Sequence, residues 1–262
     1  MGGRARVRTI RVVVEYDGTA FHGFQFQPAL RTVAGELERA LESVLREPVK
    51  VTAAGRTDAG VHATAQVVSF RTESPFPLRR LAPALNAVLP RDAGAREAQE
   101  MPGGFSARFS ARERHYRYAI LNRPERPALL RERAHHAWHP IDVEVFNQAA
   151  GAALGEHDFR AFCGVLPEQG GTVRILHELR AERRGELVMV RLRGDGFLHR
   201  MVRILVGTLI EMAQGRRDPA AMPAIVASRD RERAGYTAPA SGLYFAGVTY
   251  EDRTILAEPG FW

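Results

Sequence analysis

The chain of 262 residues has one cysteine, Cys163, and one lysine, Lys50. Nowhere does it carry an apolar run near the roughly 18 to 20 residues that span a bilayer. A single thiol excludes an intramolecular disulfide and a cysteine-built metal site. The histidines offer no substitute. His135 and His136 are adjacent, so in a strand they face opposite ways, and no acid or cysteine completes a ligand set with His139. The first residues, Met1 to Arg6, are basic, but no apolar stretch follows them, so they do not read as a secretory signal. The expectation is a soluble, cytoplasmic protein with no membrane contact and no metal requirement.

What is abundant is arginine. Lysine and arginine total 37 against 30 acidic residues, a net charge of +7, and all but one of those bases is arginine. Guanidinium groups bind phosphate bidentately and stack on bases, which suits a nucleic-acid partner. A compositional preference for arginine over lysine, with most arginines solvated or in ion pairs, gives the same count. Hydrophobic residues make up 45% of the chain, enough for one large domain or two modest ones sharing a core.

Periodicity divides the chain into two similar halves, 1–105 and 106–262. The first opens with an alternating strand from Arg8 to Tyr16, then a helix from Val33 to Leu45 with Thr32 as N-cap. Strands over 49–53 and 66–71 follow, then a helix over 78–88 closed by Pro90, and a strand within 93–100. The second half repeats the order. A strand over 115–121 leads to a helix N-capped by Asp142, strands over 172–183 and 186–194, and a long helix over 197–214. A further helix begins at Asp218-Pro219, and a last strand covers 243–250. Each half reads βαββαβ, which predicts an α+β protein of two ferredoxin-like, RRM-like units whose antiparallel sheets merge around a central cleft.

Between the two strands of the first half lies Ala54-Gly55-Arg56-Thr57-Asp58-Ala59-Gly60-Val61-His62. Two glycines let this connection turn sharply and approach a ligand closely, with Asp58 at its tip. A carboxylate there is placed for chemistry, or equally for an Asx-turn. The long helix of the second half bears on that choice. Met201, Val202, Ile204, Leu205, Val206, Leu209, Ile210 and Met212 make it apolar on nearly every side, so it is buried, and Arg203 is carried inside with it. A buried guanidinium must meet a carboxylate or a bound anion. Glu211 is one structural candidate; the functional one is Asp58, which Arg203 would hold ionised and oriented in the cleft. Gly207, one turn on, leaves room for a close approach. Two other classes of function remain open at this point. A non-catalytic RNA-binding module needs no carboxylate beside a buried arginine, and a metal-dependent nuclease needs more clustered acids than the loop supplies.

The loop, with Ala63, closely resembles the signature of the TruA-type tRNA pseudouridine synthases. Further blocks match in order: Glu15-Tyr16-Asp17-Gly18 with Gly23-Phe24-Gln25, Phe105 to Ala111, Tyr116-Arg117-Tyr118, Met201-Val202-Arg203 with Val206-Gly207, and Gly242-Leu243-Tyr244. The resemblance spans about residues 8–250. It implies the pseudouridine synthase fold and isomerisation of uridine to pseudouridine at positions 38, 39 and 40 of the tRNA anticodon stem-loop. No cofactor is implied, and the working form is a homodimer. It carries Asp58 over as the catalytic aspartate, Arg203 as its arginine partner, Tyr116 as the ring that stacks on the flipped uracil, and Arg56 as an arginine that holds the space of the extruded base. Without the resemblance, Tyr116 reads as a core tyrosine sharing a strand face with Tyr118. His62 is expected to support the loop from behind. Phe24 stands where the family usually has tryptophan, and Phe26 replaces a common polar or basic residue. These departures bear on packing or on a peripheral RNA contact. Arg200 receives no role.

Overall fold

A computed structural model describes residues 6–262. The reading of Met1 to Arg6 as no secretory signal therefore lies almost wholly outside the described residues. The chain is a mixed α+β protein whose strands pair mostly antiparallel, and it forms two compact units. The first comprises 6–112 and 245–257, the second 113–244 and 258–262. Among the described residues no helix is long and apolar enough to cross a membrane.

In the first unit β1 (Arg8–Tyr16) is flanked by two antiparallel neighbours, β3 (His62–Thr72) and β4 (Ala93–Met101). β2 (Thr52–Ala53) pairs with β3 through Thr52–Ser69 and Ala53–Val68. The order is therefore β4-β1-β3-β2, that of a ferredoxin-like βαββαβ unit. The helices between these strands are α1 (Val33–Leu45) and α2 (Leu81–Asn86), the latter preceded by a 3-10 turn at Leu78–Arg80. Thr32 accepts a hydrogen bond from the Gly35 N–H and so caps α1, whose Val33, Leu37, Leu41 and Leu45 are buried, as the helical spacing predicts.

β1 departs from simple alternation. Its second face, carrying Arg11 and Val13, is buried as well as the one carrying Ile10, Val12 and Val14. The cover on Arg11 is polar and aromatic. Its guanidinium meets both carboxylate oxygens of Asp252 at 2.9 and 3.2 Å and Gln99 at 2.6 Å, and it lies 5.6 Å from the ring centres of both Phe105 and Tyr250. A charge on a central strand is tolerable only with such a partner set.

In the second unit β5 (Glu113–Asn122) pairs antiparallel with β9 (Leu187–Gly194), β9 with β8 (Val173–Arg184), and β8 with the short β7 (Gly155–Asp158). β6 (His135–Ala137) adds in parallel to β5. Taking β5, β8 and β9 as its first, second and third strands, their order matches that of β1, β2 and β3. α3 (Val143–Ala150) begins where Asp142 accepts from the N–H groups of Glu144 and Val145. α4 (Met201–Ala213) has all but two of its residues buried; it starts later than its apolar run because Arg200 takes a left-handed conformation, φ 58°. α5 (Met222–Ser228) follows a 3-10 turn begun by Asp218. β10 (Leu243–Thr249), read from sequence as the strand that closes the second half, belongs from Phe245 onward to the first unit, where it pairs with β11 (Thr254–Leu256). Like Arg11 on β1, Arg117 on β5 is buried and held bidentately, here by Glu258 with contacts of 2.8 to 3.0 Å.

The hydrogen bonds from Arg11 hold the Asp252 carboxyl below its ordinary range, against the opposing pull of burial. Its folded value being depressed, this contact stabilises the fold above the ordinary carboxylate range and ceases to do so as pH falls through the lowered value. Asp252→Asn, which leaves the Arg11 cation without its counter-charge, is expected to cost about 1–2 kcal/mol at pH 7, solvent screening of the 43% exposed carboxylate being allowed for, and less at pH 3. Urea unfolding at both pH values checks this.

Candidate active site

The Asp58 loop is built on backbone contacts that sequence periodicity does not report. It lies against the preceding connection, residues 17–24, and small side chains make that fit possible. A Cβ on Gly18 would come within 2.0 Å of the Val61 carbonyl oxygen, and one on Gly23 within 2.9 Å of that of Thr57. Gly23 also has φ +88°, a conformation that side chains strain. With both positions bare, the Phe24 N–H donates to the Thr57 carbonyl at 2.9 Å and the Gly60 N–H to that of Phe21 at 3.3 Å. The loop closes on itself where the Val61 N–H donates to the Asp58 carbonyl at 3.2 Å, next to Gly60 at φ +78°.

Side chains complete the cradle. The Tyr16 hydroxyl, at the end of β1, bonds the Thr57 hydroxyl at 2.8 Å in a buried position. Gln66, fully buried on β3, donates to the Gly55 carbonyl at 2.8 Å. Burial pushes the Tyr16 hydroxyl up to about 12 despite the hydrogen bonds from Gln66 and Thr57, so it remains a neutral bonding group at any working pH. His62 is buried and its Nδ1 accepts from the Gly18 N–H at 3.0 Å, which ties the far end of the loop to the facing connection. Tyr16, Gln66 and His62 thus fix the residues on either side of Asp58. Sequence reasoning identified the loop and assigned His62 a supporting place, but it gave no such role to Tyr16 or Gln66. The available signal was one of position: Tyr16 ends β1, and Gln66 sits on β3 between Ala65 and Val67. Asp58 is left half-buried and Arg56 exposed. Phe24 is buried under the loop, so its departure from the family pattern is a packing matter. Phe26 is 54% exposed with the Lys50 ammonium 5.3 Å from its ring centre, so its departure is peripheral.

The remaining residues singled out from the sequence belong to the second unit. Tyr116, on β5 opposite Leu192, is buried and meets Phe197 edge-on, with ring centres 4.9 Å apart at 75°. Tyr118 on the same face is buried completely and donates to the Pro239 carbonyl at 2.8 Å. Arg203 is half-buried in the first turn of α4. Its Nε donates to the Ala238 carbonyl at 2.7 Å, and its own carbonyl accepts from the Ala238 N–H at 3.0 Å. This reciprocal clasp fixes the guanidinium plane. Gly207 makes the clasp possible: a Cβ there would be 2.0 Å from the Tyr236 carbonyl oxygen. Glu211, considered above as a structural partner for Arg203, instead takes Arg217 at 3.0 Å. Among the described residues no group of three or more His, Cys, Asp and Glu side chains could hold a metal ion.

A model of the family described as tRNA pseudouridine synthase matches residues 12–110 and 149–251. The chain is also similar to curated proteins named tRNA pseudouridine synthase A. It is 45% identical to that of Brevibacillus brevis over 244 residues, 93% of this chain and all of the relative. The protein of Acetivibrio thermocellus is 43% identical over 244 residues, again 93% of this chain and all of the relative. That of Methylococcus capsulatus is 43% identical over 248 residues, 95% of this chain and 92% of the relative.

Two outcomes follow from the geometry. Gly23→Ala is expected to destabilise the chain by about 1–3 kcal/mol through its positive φ and the close Thr57 carbonyl, whereas Tyr16→Phe should cost about 1 kcal/mol for the lost Thr57 hydrogen bond and the long 3.5 Å one from Gln66. Denaturant midpoints of the two variants check the order. His115, next to Tyr116, is held down to about 4 by burial and then by the Arg117 and Arg193 charges, against Glu113 and Glu258. Its folded value lies below its unfolded one, so stability is full above about pH 6.5 and is lost as pH falls from there toward 4. The midpoint should drop across that window, and by less in His115→Asn.

Proposed function

The chain belongs to the tRNA pseudouridine synthase family and is an isomerase that converts uridine to pseudouridine in tRNA; on that premise we propose that it acts at positions 38, 39 and 40 of the anticodon stem-loop, with Asp58 as the catalytic carboxylate. The observation that carries the reading is the Asp58 loop. A carboxylate held half-buried by Thr57, Gly55 and Val61 contacts, between two residues that tolerate no Cβ on the facing strand connection, is preorganised and not merely a surface turn.

The reaction breaks the C1′–N1 bond, turns the uracil and forms C1′–C5. N1 ends protonated and C5 gives up its proton, so the product is an isomer of the substrate and no oxidant or acceptor enters. A base stacked in a stem-loop must leave the stack to react. Tyr116 offers the flipped uracil a ring face, and Phe197 braces that ring from the side. Arg203, its plane fixed by Ala238, is the partner that orients the Asp58 carboxylate. Arg56, exposed on the loop, takes the space the base vacates. Attack at C1′, addition to C6 and removal of a sugar proton all begin from this carboxylate. The working form is a homodimer in the cytoplasm, with tRNA as partner and neither metal nor organic cofactor required.

Undermodified tRNA labelled with tritium at C5 tests the assignment. The wild type is expected to release tritium in the presence of EDTA and to modify positions 38, 39 and 40, and Asp58→Ala to release none. Persistent release by the variant would remove Asp58 from the chemistry, and no release by the wild type would sink the reading as a whole.

A further inference from the structure

Phe109 is 80% exposed, yet it is not on a loose segment. Its turn closes with the Ser110 N–H on the Ser106 carbonyl at 2.9 Å, and the Ser106 N–H returns to the Ser110 hydroxyl at 3.1 Å. Ala107, fully buried, is gripped from both sides: its N–H donates to the Ser69 hydroxyl of β3 at 2.9 Å, and its carbonyl accepts from the Tyr250 hydroxyl at 2.8 Å. Phe105 packs against Tyr250 with ring centres 5.3 Å apart and planes tilted by 55°, beside the buried Arg11. A rigid anchor on Phe105 and Ala107 therefore projects Phe109 into solvent, where a large apolar ring gains nothing by itself. The exposed Arg108 places its guanidinium 5.2 Å from the ring centre, which leaves the rest of the ring surface to water.

From this geometry we infer that Phe109 and Arg108 form a second RNA contact, a stacking platform for an unpaired base remote from the reacting uridine, with Arg108 directed at the neighbouring phosphate. The inference rests on the family reaction for the identity of the ligand as RNA. A π-face beside a cation fits a nucleotide, which carries a flat base and an anion together. An apolar protein surface docking on the same ring would have to bury Arg108 with it. Among the other exposed hydrophobic side chains, Phe26 has a cation near its ring, but that Lys50 ammonium is held by Glu38 at 2.7 Å and the ring is only 54% exposed. Leu129, Val165 and Leu166 are aliphatic, and Trp138 is already edge-on to its neighbours His136 and His139. The platform is remote because Ser69, its anchor, lies seven residues along β3 from His62, where the Asp58 loop rejoins the sheet. At about 3.3 Å per residue that is roughly 23 Å. Binding energy collected there raises affinity equally for the ground and transition states, so it acts on KM and not on kcat.

The test uses the full chain and an undermodified tRNA transcript, with affinity measured in an Asp58→Ala background so that no turnover intervenes. Phe109→Ala is expected to weaken binding by roughly 5- to 150-fold, the range of one base–aromatic stack. Phe109→Leu should weaken it similarly, because it keeps apolar bulk without a π-face, and Phe109→Trp should restore it. In the active protein Phe109→Ala should raise KM and leave kcat within about twofold. Wild-type affinity in Phe109→Leu would overturn the platform. So would a change in sedimentation coefficient with Phe109→Ala, which would make the ring a contact between two copies of the chain. Failure of the catalytic reading is seen separately, as absent tritium release from a wild type whose tRNA affinity still depends on Phe109.

Discussion

The contact on which the Asp58 loop of the first unit depends is its backbone-to-backbone fit with the 17–24 connection. Two glycines on one side bring their α-carbons up against carbonyls on the other, at Val61 and Thr57. Contact at that range admits only one register between the loops. It delivers the Phe24–Thr57 and Phe21–Gly60 hydrogen bonds together. Once those form, Tyr16 and Gln66 have fixed partners, and the polar atoms they carry into the interior are satisfied. The Asp58 backbone inherits its position from anchored backbone atoms one to three residues away on either side, at Gly55, Thr57, Gly60 and Val61. Its placement therefore does not depend on side-chain rotamers of its own segment, which is what preorganisation requires.

A second constraint runs through both units and concerns arginine. The first strand of each carries a buried guanidinium, Arg11 on β1 and Arg117 on β5, and each is met bidentately by an acid from the last part of the chain, Asp252 or Glu258. The two units thus share a solution as well as a strand order. Closing either one requires the chain's end to arrive with a negative charge. This accounts for part of the arginine richness in a way that net charge alone does not suggest. Arg8, Arg31 and Arg193 are likewise spent on Glu100, Asp92 and Glu113.

How much was legible in the sequence follows from the range of each interaction. β1 and α1 coincide with their expected spans because alternation, helical spacing and the Thr32 cap are local signals. β6, β7 and β11 carry three or four residues each, too few for a period to register, and were not foreseen. The helix read over 78–88 is in fact a 3-10 turn with a six-residue helix. The closing strand was legible as a strand but not in its allegiance, because nothing in 243–250 says which unit it joins. Among the candidate residues, the glycine pattern flagged the Asp58 loop of the first unit, and the all-round apolar helix flagged Arg203 of the second. The clasp of Arg203 on Ala238 was invisible, since it joins residues 35 apart through a carbonyl that any residue type supplies. Gln66 escaped for the same reason, since it holds the Gly55 carbonyl, and Tyr16 because the Thr57 hydroxyl it meets lies far from it in sequence.

The near absence of lysine then has a structural reading beside the electrostatic one. Arg11 uses two nitrogens on Asp252 and a third contact on Gln99, and Arg117 spreads three contacts over Glu258. Each needs donors fixed in a plane and pointing in different directions. A lysine ammonium could supply the charge at these sites but not the fork, and its stronger hydration would make burial on β1 or β5 costlier. The same planarity lets the Arg108 guanidinium lie 5.2 Å from the ring centre of Phe109. Arginine in this chain is therefore chosen first for geometry. The positive surface that draws a polyanion is what remains after strand pairing and loop closure have taken their share.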